Sequence, residues 1–315
     1  MGENVLSIGI DIGGTKISAA VVHNGQIYSE VLVYKTPSSA LEILNTVLQA
    51  VEELLKGYKA EYVGIATAGT INLENTKVTG STGNLPFGYE SLDFVNEIFN
   101  KFGIKTFIEN DANAAAYAEF KTGNARGDNN TIIITLGTGI GGGIIVDGKL
   151  LRGKSGVGAE VGHISLTWER KRKCTCGWWD CWESYASGTG YAKNAQEIAR
   201  QTAPEERTGM LKDKEIEQLT TYDVIEGLDK GDKFAIKVHE RWEEYILMGL
   251  TSLINIFDPD SVVLSGGMAK FVDFDKLNKE LEARTVISKV KLLPAKAENY
   301  AGIIGAALLA LEKFK

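Results

Sequence analysis

One pattern occurs twice in this chain of 315 residues: a strand, a glycine turn, a second strand, a tight turn and a third strand. Apolar and β-branched residues in short runs between Gly, Asn and Asp turns are typical of strands and hairpins. The repeat predicts an internal duplication, and the length favours two domains. The strands predicted in the two copies are 5–12, 17–22 and 26–34 in the first and 131–136, 141–146 and 149–151 in the second.

The rest of the chain alternates between helical spacing and short apolar runs, which is typical of an α/β protein. We place the domain boundary near residue 117: residues 1–117 with 300–315 would form a smaller α/β domain, and residues 118–299 a larger one. The remaining predicted strands are 62–66, 107–109 and 261–264, and the predicted helices are 40–56, 92–102, 112–120, 190–201, 221–227, 232–257 and 301–314.

Composition excludes several classes of function. The net charge is −7, and the one basic run is 170–173, so we expect no nucleic-acid surface. We also expect no membrane span, because no stretch approaches the ~20 apolar residues that a span needs. The chain starts almost directly with a strand and shows no signal segment, which predicts a cytoplasmic protein.

The cysteines point to a metal site. Cys174, Cys176 and Cys181 are all the cysteines of the chain, and His163 lies close before them. Three thiolates and an imidazole are the ligand set that tetrahedral Zn²⁺ prefers, and cysteines clustered in this way favour metal over disulfide. Glu160 and Glu183 flank the cluster, so a metal there would fix two carboxylates relative to each other and organise an active site.

Two glycine-rich matches to known phosphate motifs fail on their context. Residues 148–155 fit the P-loop pattern, but strand-like residues precede the final glycine and Gly156-Val-Gly158 follows where a helix is required. Residues 137–142 fit the dinucleotide fingerprint, but a strand follows instead of a helix. We reject both.

The two hairpin turns themselves are better candidates for phosphate contacts. Each offers exposed backbone amides and a hydroxyl without a bulky side chain, and two turns from duplicated halves could hold a nucleotide triphosphate. Asp11 could bind Mg²⁺ through water, and Lys16 could pair with phosphate oxygens. The alternative is that glycine serves only the turn geometry. The candidate residues are Asp11, Gly13, Gly14, Thr15 and Lys16 in the first turn and Gly137, Thr138 and Gly139 in the second.

Asn110 and Asp111 lie where a predicted strand ends and an alanine-rich helix begins. One interpretation is a helix N-cap, for which both residue types are favoured. The other is a general base at the carboxyl end of a strand, where clefts of α/β proteins form. The local sequence leaves both open.

Taken in order, the motifs resemble those of the ROK family of sugar kinases, of the glucokinase type, over essentially the whole chain. They are Asp11-Ile-Gly-Gly-Thr-Lys16, Glu109-Asn-Asp-Ala-Asn113, Leu136-Gly-Thr-Gly-Ile-Gly-Gly142, Glu160-Val-Gly-His163 and the segment from Cys174 to Glu183. The resemblance implies an actin-like ATPase fold (ribonuclease H-like, duplicated), with two domains and a cleft between them. It also implies ATP with Mg²⁺ as cofactor, a hexose as substrate and a role in glycolysis.

The resemblance assigns roles to particular residues. It makes Asp111 the base that takes the proton from the sugar 6-hydroxyl. It assigns His163, Cys174, Cys176 and Cys181 to a structural Zn²⁺, Gly137 to Gly139 to the second phosphate loop, and Gly266 and Gly267 to the adenosine contact. The residues it implies at the sugar are Gly69, Thr82, Asn84, Asn110, Glu160, His163 and Glu183. A homodimer is the family expectation.

The chain departs from the family pattern at two places. Asp180 stands where the family has glycine, which would either alter the turn of the zinc loop or place a solvated carboxylate there. Ala68-Gly69 replaces a frequent Pro-Gly. Three tryptophans lie close together, Trp178, Trp179 and Trp182. We expect them to pack the loop onto its domain, and the alternative is that one of the rings lies against a sugar face.

Three functions remain in competition. The first is an ATP-dependent glucokinase, with other hexoses as possible substrates. The second is an N-acetylhexosamine or fructose kinase of the same fold. The third is a sugar-responsive repressor without catalysis. Repressors of this family carry an N-terminal helix-turn-helix domain, for which a first strand at about Val5 leaves no room. We therefore expect a kinase.

Overall fold

The structure, a computed structural model, describes residues 5–80, 85–203, 205, 209, 214–286, 289–297 and 300–315. The chain forms two compact units, each built from separate stretches of sequence. Helix α3 crosses the domain boundary predicted near residue 117 without a break and lies wholly in the first unit. The predicted domain limits stay a prediction. The first unit comprises Met1–Ile133, Gly142–Ala159 and Ala295–Lys315, and the second comprises Ile134–Gly141 and Glu160–Pro294.

Strands and helices alternate along most of the chain, as expected for an α/β protein. The strands are β1 Leu6–Ile12, β2 Lys16–His23, β3 Gln26–Ile27, β4 Leu32–Lys35, β5 Ala60–Thr67, β6 Thr70–Ile71, β7 Val78–Gly80, β8 Lys105–Asn110, β9 Thr131–Leu136, β10 Ile140–Val146, β11 Lys149–Leu150, β12 Ser261–Ser265 and β13 Lys291–Pro294. The helices are α1 Ala40–Gly57, α2 Phe94–Phe102, α3 Asp111–Thr122, α4 Glu183–Ala186, α5 Gly188–Gln201, α6 Thr221–Asp229, α7 Lys233–Phe257, α8 Phe274–Arg284 and α9 Ala301–Phe314.

The first sheet has the order β3-β2-β1-β5-β8, with β4 also paired to β2. β1 pairs antiparallel with β2 and parallel with β5, which in turn pairs parallel with β8. Parallel pairing brings the carboxyl ends of β1 and β8 to one edge, so that Asp11 and Asn110 leave the sheet on the same side.

Helices cover both faces of this sheet. On one face α1 buries a stripe of apolar residues at helical spacing against alternate residues of β1, and the Ser39 side chain caps its first turn. On the other face α9 lies very close to the strands. A Cβ at Gly9 would lie 2.0 Å from the Ile303 carbonyl oxygen, and one at Gly64 would lie 1.9 Å from that of Ala306. Glycine in these strands is therefore required for the close approach of α9.

The second sheet repeats the order of the first. Its strands run β11-β10-β9-β12-β13, which corresponds position by position to β3-β2-β1-β5-β8. The hairpin β10–β11 is antiparallel like β2–β3, and β12 pairs parallel with β13 as β5 does with β8. This correspondence confirms the duplication expected from the sequence.

The structure differs from the sequence prediction in several elements. The predicted third strand, 26–34, is broken into β3 and β4, and the Val21 amide donates to the Ser29 hydroxyl between them. Sequence patterns also missed β6, β7, β13 and α8. Among the described residues, no helix combines the length and the apolar character that crossing a bilayer requires.

Candidate functional site

The first unit brings two carboxylates together. Asp11 is the penultimate residue of β1, and Asp111 is the first residue of α3. The pKa of Asp11 is raised to about 6, mainly by burial and then by the negative charge of Asp111, against the lowering effect of Lys16. Gly302 contributes to this burial, because a Cβ there would lie 2.8 Å from the Asp11 carboxyl group. Asp11 and Asp111 therefore lie within electrostatic reach of each other.

Asp111 is held by the start of its helix. Asn110 is the N-cap, and its side-chain oxygen accepts hydrogen bonds from the backbone amides of Ala112 and Asn113. The N-cap interpretation and the base interpretation are thus compatible, because they concern adjacent residues. The Asp111 surface is exposed, yet surrounding protein atoms withdraw its carboxyl group from bulk water and raise its pKa. A carboxylate with a raised pKa is a better proton acceptor than an ordinary one.

The side-chain nitrogen of Asn110 faces a glycine. Its Nδ2 donates to the Gly69 carbonyl oxygen at 3.0 Å. Gly69 has φ +110, and a Cβ there would lie 2.4 Å from the Gly80 carbonyl oxygen, so the position requires glycine. The structure therefore brings together Gly69, Asn110 and Asp111, three of the residues predicted at the sugar.

The first glycine turn is a hairpin between β1 and β2. The Gly13 amide donates to the Lys16 carbonyl oxygen at 3.0 Å, and the Thr36 hydroxyl donates to the Gly13 carbonyl oxygen. Gly14, Thr15 and Lys16 are exposed. Their exposure beside Asp11 leaves them accessible to a ligand.

In the second unit, the four predicted zinc ligands form one cluster. The donor atoms of His163, Cys174, Cys176 and Cys181 all lie within 4.8 Å of one another. Cys174 Sγ is 3.7 Å from His163 Nδ1, and Cys176 Sγ is 3.6 Å from Cys181 Sγ. With metal bonds of about 2.0–2.3 Å, a tetrahedral zinc site separates its donors by about 3.5–3.8 Å. The three cysteines are free thiols, and the geometry fits a zinc ion.

His163 presents its other ring nitrogen to a carboxylate. His163 Nε2 lies 3.9 Å from Glu160 Oε2, and the side chains are 35% and 60% exposed. His163 Nδ1 faces the cysteine cluster while Nε2 faces an accessible acid. One ring can therefore serve the metal and a ligand on opposite sides.

Glu183 links the cysteine loop to the second glycine turn. Its Oε2 accepts from the Ile140 amide at 2.9 Å, and its Oε1 accepts from the Thr175 hydroxyl at 3.3 Å. A Cβ at Gly139 would lie 2.2 Å from Glu183 Oε2, so the contact needs glycine in the turn. The predicted sugar residue and the predicted phosphate turn are thus in direct contact.

The second turn is braced by the start of α5. The Gly137 carbonyl oxygen accepts from the Gly188 amide at 2.8 Å, and the Thr138 carbonyl oxygen accepts from the Thr189 hydroxyl at 2.9 Å. The N-terminus of α5 carries the partial positive charge of the helix dipole toward this turn.

Gly266 and Gly267 lie beside the same turn. Gly266 has φ +89, and a Cβ there would lie 2.3 Å from the Leu136 carbonyl oxygen, immediately before the turn. A Cβ at Gly267 would meet open space. The predicted adenosine contact and the predicted phosphate loop are neighbours in the second unit. Two further predicted sugar residues, Thr82 and Asn84, lie outside the described residues.

The structure contradicts one of the two alternatives that the sequence left open for Asp180. It is fully buried, so the solvated carboxylate is wrong. Its φ is +55, the left-handed conformation that glycine adopts without strain. The side chain accepts from the backbone amides of Lys171 and Arg172 and from the Tyr185 hydroxyl. These bonds offset the strain of a non-glycine residue and hold the cysteine loop.

The neighbouring tryptophans divide into two groups. Trp182 is fully buried and donates from its ring nitrogen to the Tyr245 carbonyl oxygen, so it packs the loop as expected. Trp178 is 61% exposed and does not.

Sequence reasoning missed a buried ion pair beneath Asn110. Glu109 and Arg152 lie 3.1 Å apart (Oε2 to Nε), and Glu109 is fully buried. Glu109 ends the predicted strand 107–109, and a carboxylate that is buried there requires a partner, which was the available signal. Arg152 was hidden because it falls inside the rejected P-loop match.

Comparison with known proteins identifies the family. The ROK family model matches residues 7–313. The chain belongs to the ROK family. It is 36% identical to the glucokinase of Streptomyces coelicolor over 98% of each chain. It is 30% identical to the N-acetylmannosamine kinase of Vibrio cholerae, over 96% of this chain and 98% of the relative.

A solved ROK structure gives the same fold. The ROK family glucokinase from Streptomyces griseus, crystallised with glucose and AMPPNP, superposes with a TM-score of 0.77 at 34% identity. The superposition covers 98% of this chain and 99% of that one. The fold of this ROK protein is therefore the actin-like ATPase fold, as the sequence motifs implied.

Proposed function

We propose that the protein is an ATP-dependent glucokinase, which transfers the γ-phosphoryl group of ATP to the 6-hydroxyl of glucose. The observation that carries the proposal is Asp111, a carboxylate with a raised pKa at the start of α3, next to Asn110 and Gly69. The likeness to glucokinases over 98% of the chain supports the choice of sugar.

Phosphoryl transfer mainly requires positioning and neutralisation of charge rather than a covalent nucleophile. Asp111 would accept the proton of the sugar hydroxyl as it attacks the γ-phosphorus. Asp11 would hold Mg²⁺ through water, and Lys16 would neutralise phosphate oxygens. The Gly137–Gly139 turn would offer backbone amides, and Gly266 and Gly267 would leave room for adenosine.

The sugar would be oriented by hydrogen bonds to its hydroxyls. Asn110, Glu160, His163 and Glu183 would bond its hydroxyls, with Gly69 lining the site. Thr82 and Asn84 complete the proposed set of sugar residues.

The cysteine cluster would hold a structural Zn²⁺ through His163, Cys174, Cys176 and Cys181. With four protein ligands, zinc supplies no open coordination position and acts as a cross-link. Bound zinc would fix the His163 ring through Nδ1, so that Nε2 would be presented to the sugar. The metal therefore serves orientation rather than proton transfer.

A coupled assay of ADP release tests this function. Glucose, mannose, fructose, N-acetylglucosamine and N-acetylmannosamine are each supplied with ATP and Mg²⁺. We expect the highest kcat/KM with glucose. Absence of turnover with every sugar would overturn the kinase proposal and favour a regulator.

The likeness to N-acetylmannosamine kinase favours a second candidate, phosphorylation of an N-acetylhexosamine. A kcat/KM for N-acetylmannosamine above that for glucose in the same assay would select it. We also propose a cytoplasmic homodimer, which sedimentation of the purified protein tests by mass.

A further inference from the structure

Glu109 is the residue directly before Asn110, and its side chain is saturated with partners. It is fully buried at the end of β8. Oε1 accepts from the Asn110 backbone amide at 2.9 Å and from Asn113 Nδ2 at 3.2 Å. Oε2 accepts from Asn75 Nδ2 at 3.0 Å and lies 3.1 Å from Arg152 Nε. A buried carboxylate with four partners fixes the backbone at the junction of β8 and α3.

Arg152 is equally committed. Its Nη1 donates to the Leu73 carbonyl oxygen and to Asn75 Oδ1, and its Nη2 donates to the Asn72 carbonyl oxygen. The Nε–Glu109 contact is a close ion pair without hydrogen-bond alignment, since Nε has no aligned acceptor. The guanidinium group thus joins the 72–75 turn to the buried carboxylate, using the fork of donors that lysine lacks.

Asn75 completes the connection. It has φ +61 and is 5% exposed, and its Nδ2 donates to the Ile108 carbonyl oxygen as well as to Glu109. The Ile108 amide donates to the Asn75 carbonyl oxygen in return. The 72–75 turn is therefore docked onto the end of β8, immediately before the candidate base.

The segment that carries Arg152 is shaped for close packing. A Cβ at Gly156 would lie 2.4 Å from the Ile71 carbonyl oxygen, and one at Gly158 would lie 2.9 Å from the Arg152 carbonyl carbon. Gly156 and Gly158 are the glycines that follow the rejected P-loop match at 148–155. In the structure they allow the loop to turn tightly onto the 72–75 turn, where it delivers Arg152.

We propose that the Arg152–Glu109 pair positions the catalytic segment Asn110–Asp111, so that Arg152 and Glu109 are positioning residues for phosphoryl transfer. This inference rests on the proposed kinase function. The side chain of Asn110 has bonds of its own to Ala112, Asn113 and Gly69, and none of them involves Arg152 or Glu109. The main consequence of breaking the pair is therefore a displaced Asp111 carboxylate rather than a lost sugar contact.

The size of the effect follows from the sensitivity of catalysis to geometry. A displacement of about 1 Å costs about 10²-fold in rate. We expect Arg152→Met and Glu109→Gln each to lower kcat by about 10- to 100-fold, with the glucose Kd changed less than about threefold. Arg152→Lys keeps the charge but not the fork, and recovers part of the lost kcat.

The experiment compares these variants with Lys154→Met, an exposed cation in the same loop, as the matched control. Steady-state kcat, glucose Kd by calorimetry and thermal midpoint are measured for each full-length protein. Hydrogen exchange of the 105–115 segment is followed as a readout that does not need turnover. The proposal expects lower kcat and faster exchange in this segment for Arg152→Met, with wild-type values for Lys154→Met.

Wild-type kcat in a folded Arg152→Met variant would overturn the inference, and so would parallel loss of kcat, glucose binding and thermal stability. If the wild-type protein turns over no sugar, the proposed function falls instead. In that case unchanged exchange at 105–115 overturns the positioning role, and faster exchange supports it.

Discussion

The two glycine turns occupy equivalent places in a duplicated fold but carry different chemistry. The first has charged side chains at both ends, Asp11 and Lys16, on exposed backbone. The second, Gly137–Gly139, has none. Instead, the N-terminus of α5 braces it and Glu183 contacts it. The first hairpin turn therefore offers charged side chains to a ligand, whereas the second offers backbone donors next to a helix dipole.

The same division separates the predicted machinery of the two units. The acids with raised pKa, Asp11 and Asp111, are in the first unit. The candidate metal cluster and the exposed pair Glu160–His163 are in the second. Changes in the first unit should therefore affect turnover and pH dependence, and changes in the second should affect sugar affinity.

Loss of the base should have the largest effect. A general base contributes about 10²–10⁴-fold to rate, so we expect Asp111→Asn to lower kcat about 10³-fold and leave glucose Kd nearly unchanged. In the wild type, kcat/KM should rise with pH through the raised pKa of Asp111, because only the ionised carboxylate accepts a proton. Stopped assays and calorimetry measure both. Asp147→Asn, in an exposed turn, is the control, and near-normal turnover in Asp111→Asn would remove Asp111 as the base.

Disruption of the cysteine cluster should have the second-largest effect. Cys176→Ala removes one of four ligands, and we expect metal loss with a glucose Kd weakened about 10-fold or more, since metal-site support is worth about 10–100-fold. Elemental analysis and calorimetry measure the two quantities. Chelator-treated wild type should behave in the same way. Native protein without zinc would contradict the assignment.

The buried position of Asp11 should make the free energy of unfolding depend on pH, because the pKa of Asp11 differs between the folded and unfolded chain. The unfolded chain releases the Asp11 proton near 3.8, whereas the folded protein keeps it until about 6. The protonated Asp11 carboxyl group therefore makes its full stabilising contribution below about pH 3.8, and this contribution is lost as the pH rises through about 6. Above it, the ionised group destabilises the metal-free fold by about 2 kcal/mol, allowing for its partial exposure.

We therefore expect Asp11→Asn to be more stable than the wild type at about pH 8 and equally stable at about pH 3.5, in chelator without nucleotide. Denaturant unfolding at the two pH values measures the difference. A gain that is equal at both would show that packing, not ionisation, is responsible. The variant should also lose turnover, because Asp11 is proposed to hold Mg²⁺.

Two matched glycine-to-alanine substitutions, one in each turn, should have the smallest effect on glucose Kd. They test the difference between the turns most directly. Gly139→Ala places a methyl group 2.2 Å from Glu183 Oε2, so the carboxylate must leave the Ile140 amide. We expect glucose Kd to rise about 3- to 10-fold, for the loss of one charged hydrogen bond. Gly13→Ala meets only the Lys16 carbonyl oxygen, at 3.3 Å, and should leave glucose Kd unchanged. Equal changes of glucose Kd in Gly139→Ala and Gly13→Ala would contradict the proposed difference between the turns.

Much of this architecture follows from short-range patterns. Periodicity and spacing are informative where the residues are close in sequence. This holds for the strands and turns of the two hairpins, for the cap at Asn110 and for the clustering of the candidate metal ligands. Helix α8 was missed because its buried residues are few, Leu277 and Leu281 among them, which leaves a weak apolar pattern. Strand β13 is short and ends at Pro294.

What the sequence did not predict depends on distant partners. Arg152 reaches Glu109 across 43 positions of sequence, and Asp180 is stabilised by Tyr185 and by amides on the opposite side of its loop. A single sequence carries no local signal for such contacts. Arg152 also lies within a glycine-rich stretch, 148–155, that matches the pattern of a different motif.

The position of α9 has a consequence for how the protein is made. This last helix packs against Gly9 and Gly64 in the first sheet, and Gly302 lies against Asp11. The first sheet therefore stays uncovered on this face until α9 has been synthesised, although its opening strands are synthesised first. Domains usually form in the order of synthesis. Here the stretches of the second unit end at Pro294, so this unit is available to fold before α9 has been synthesised and packed against β1.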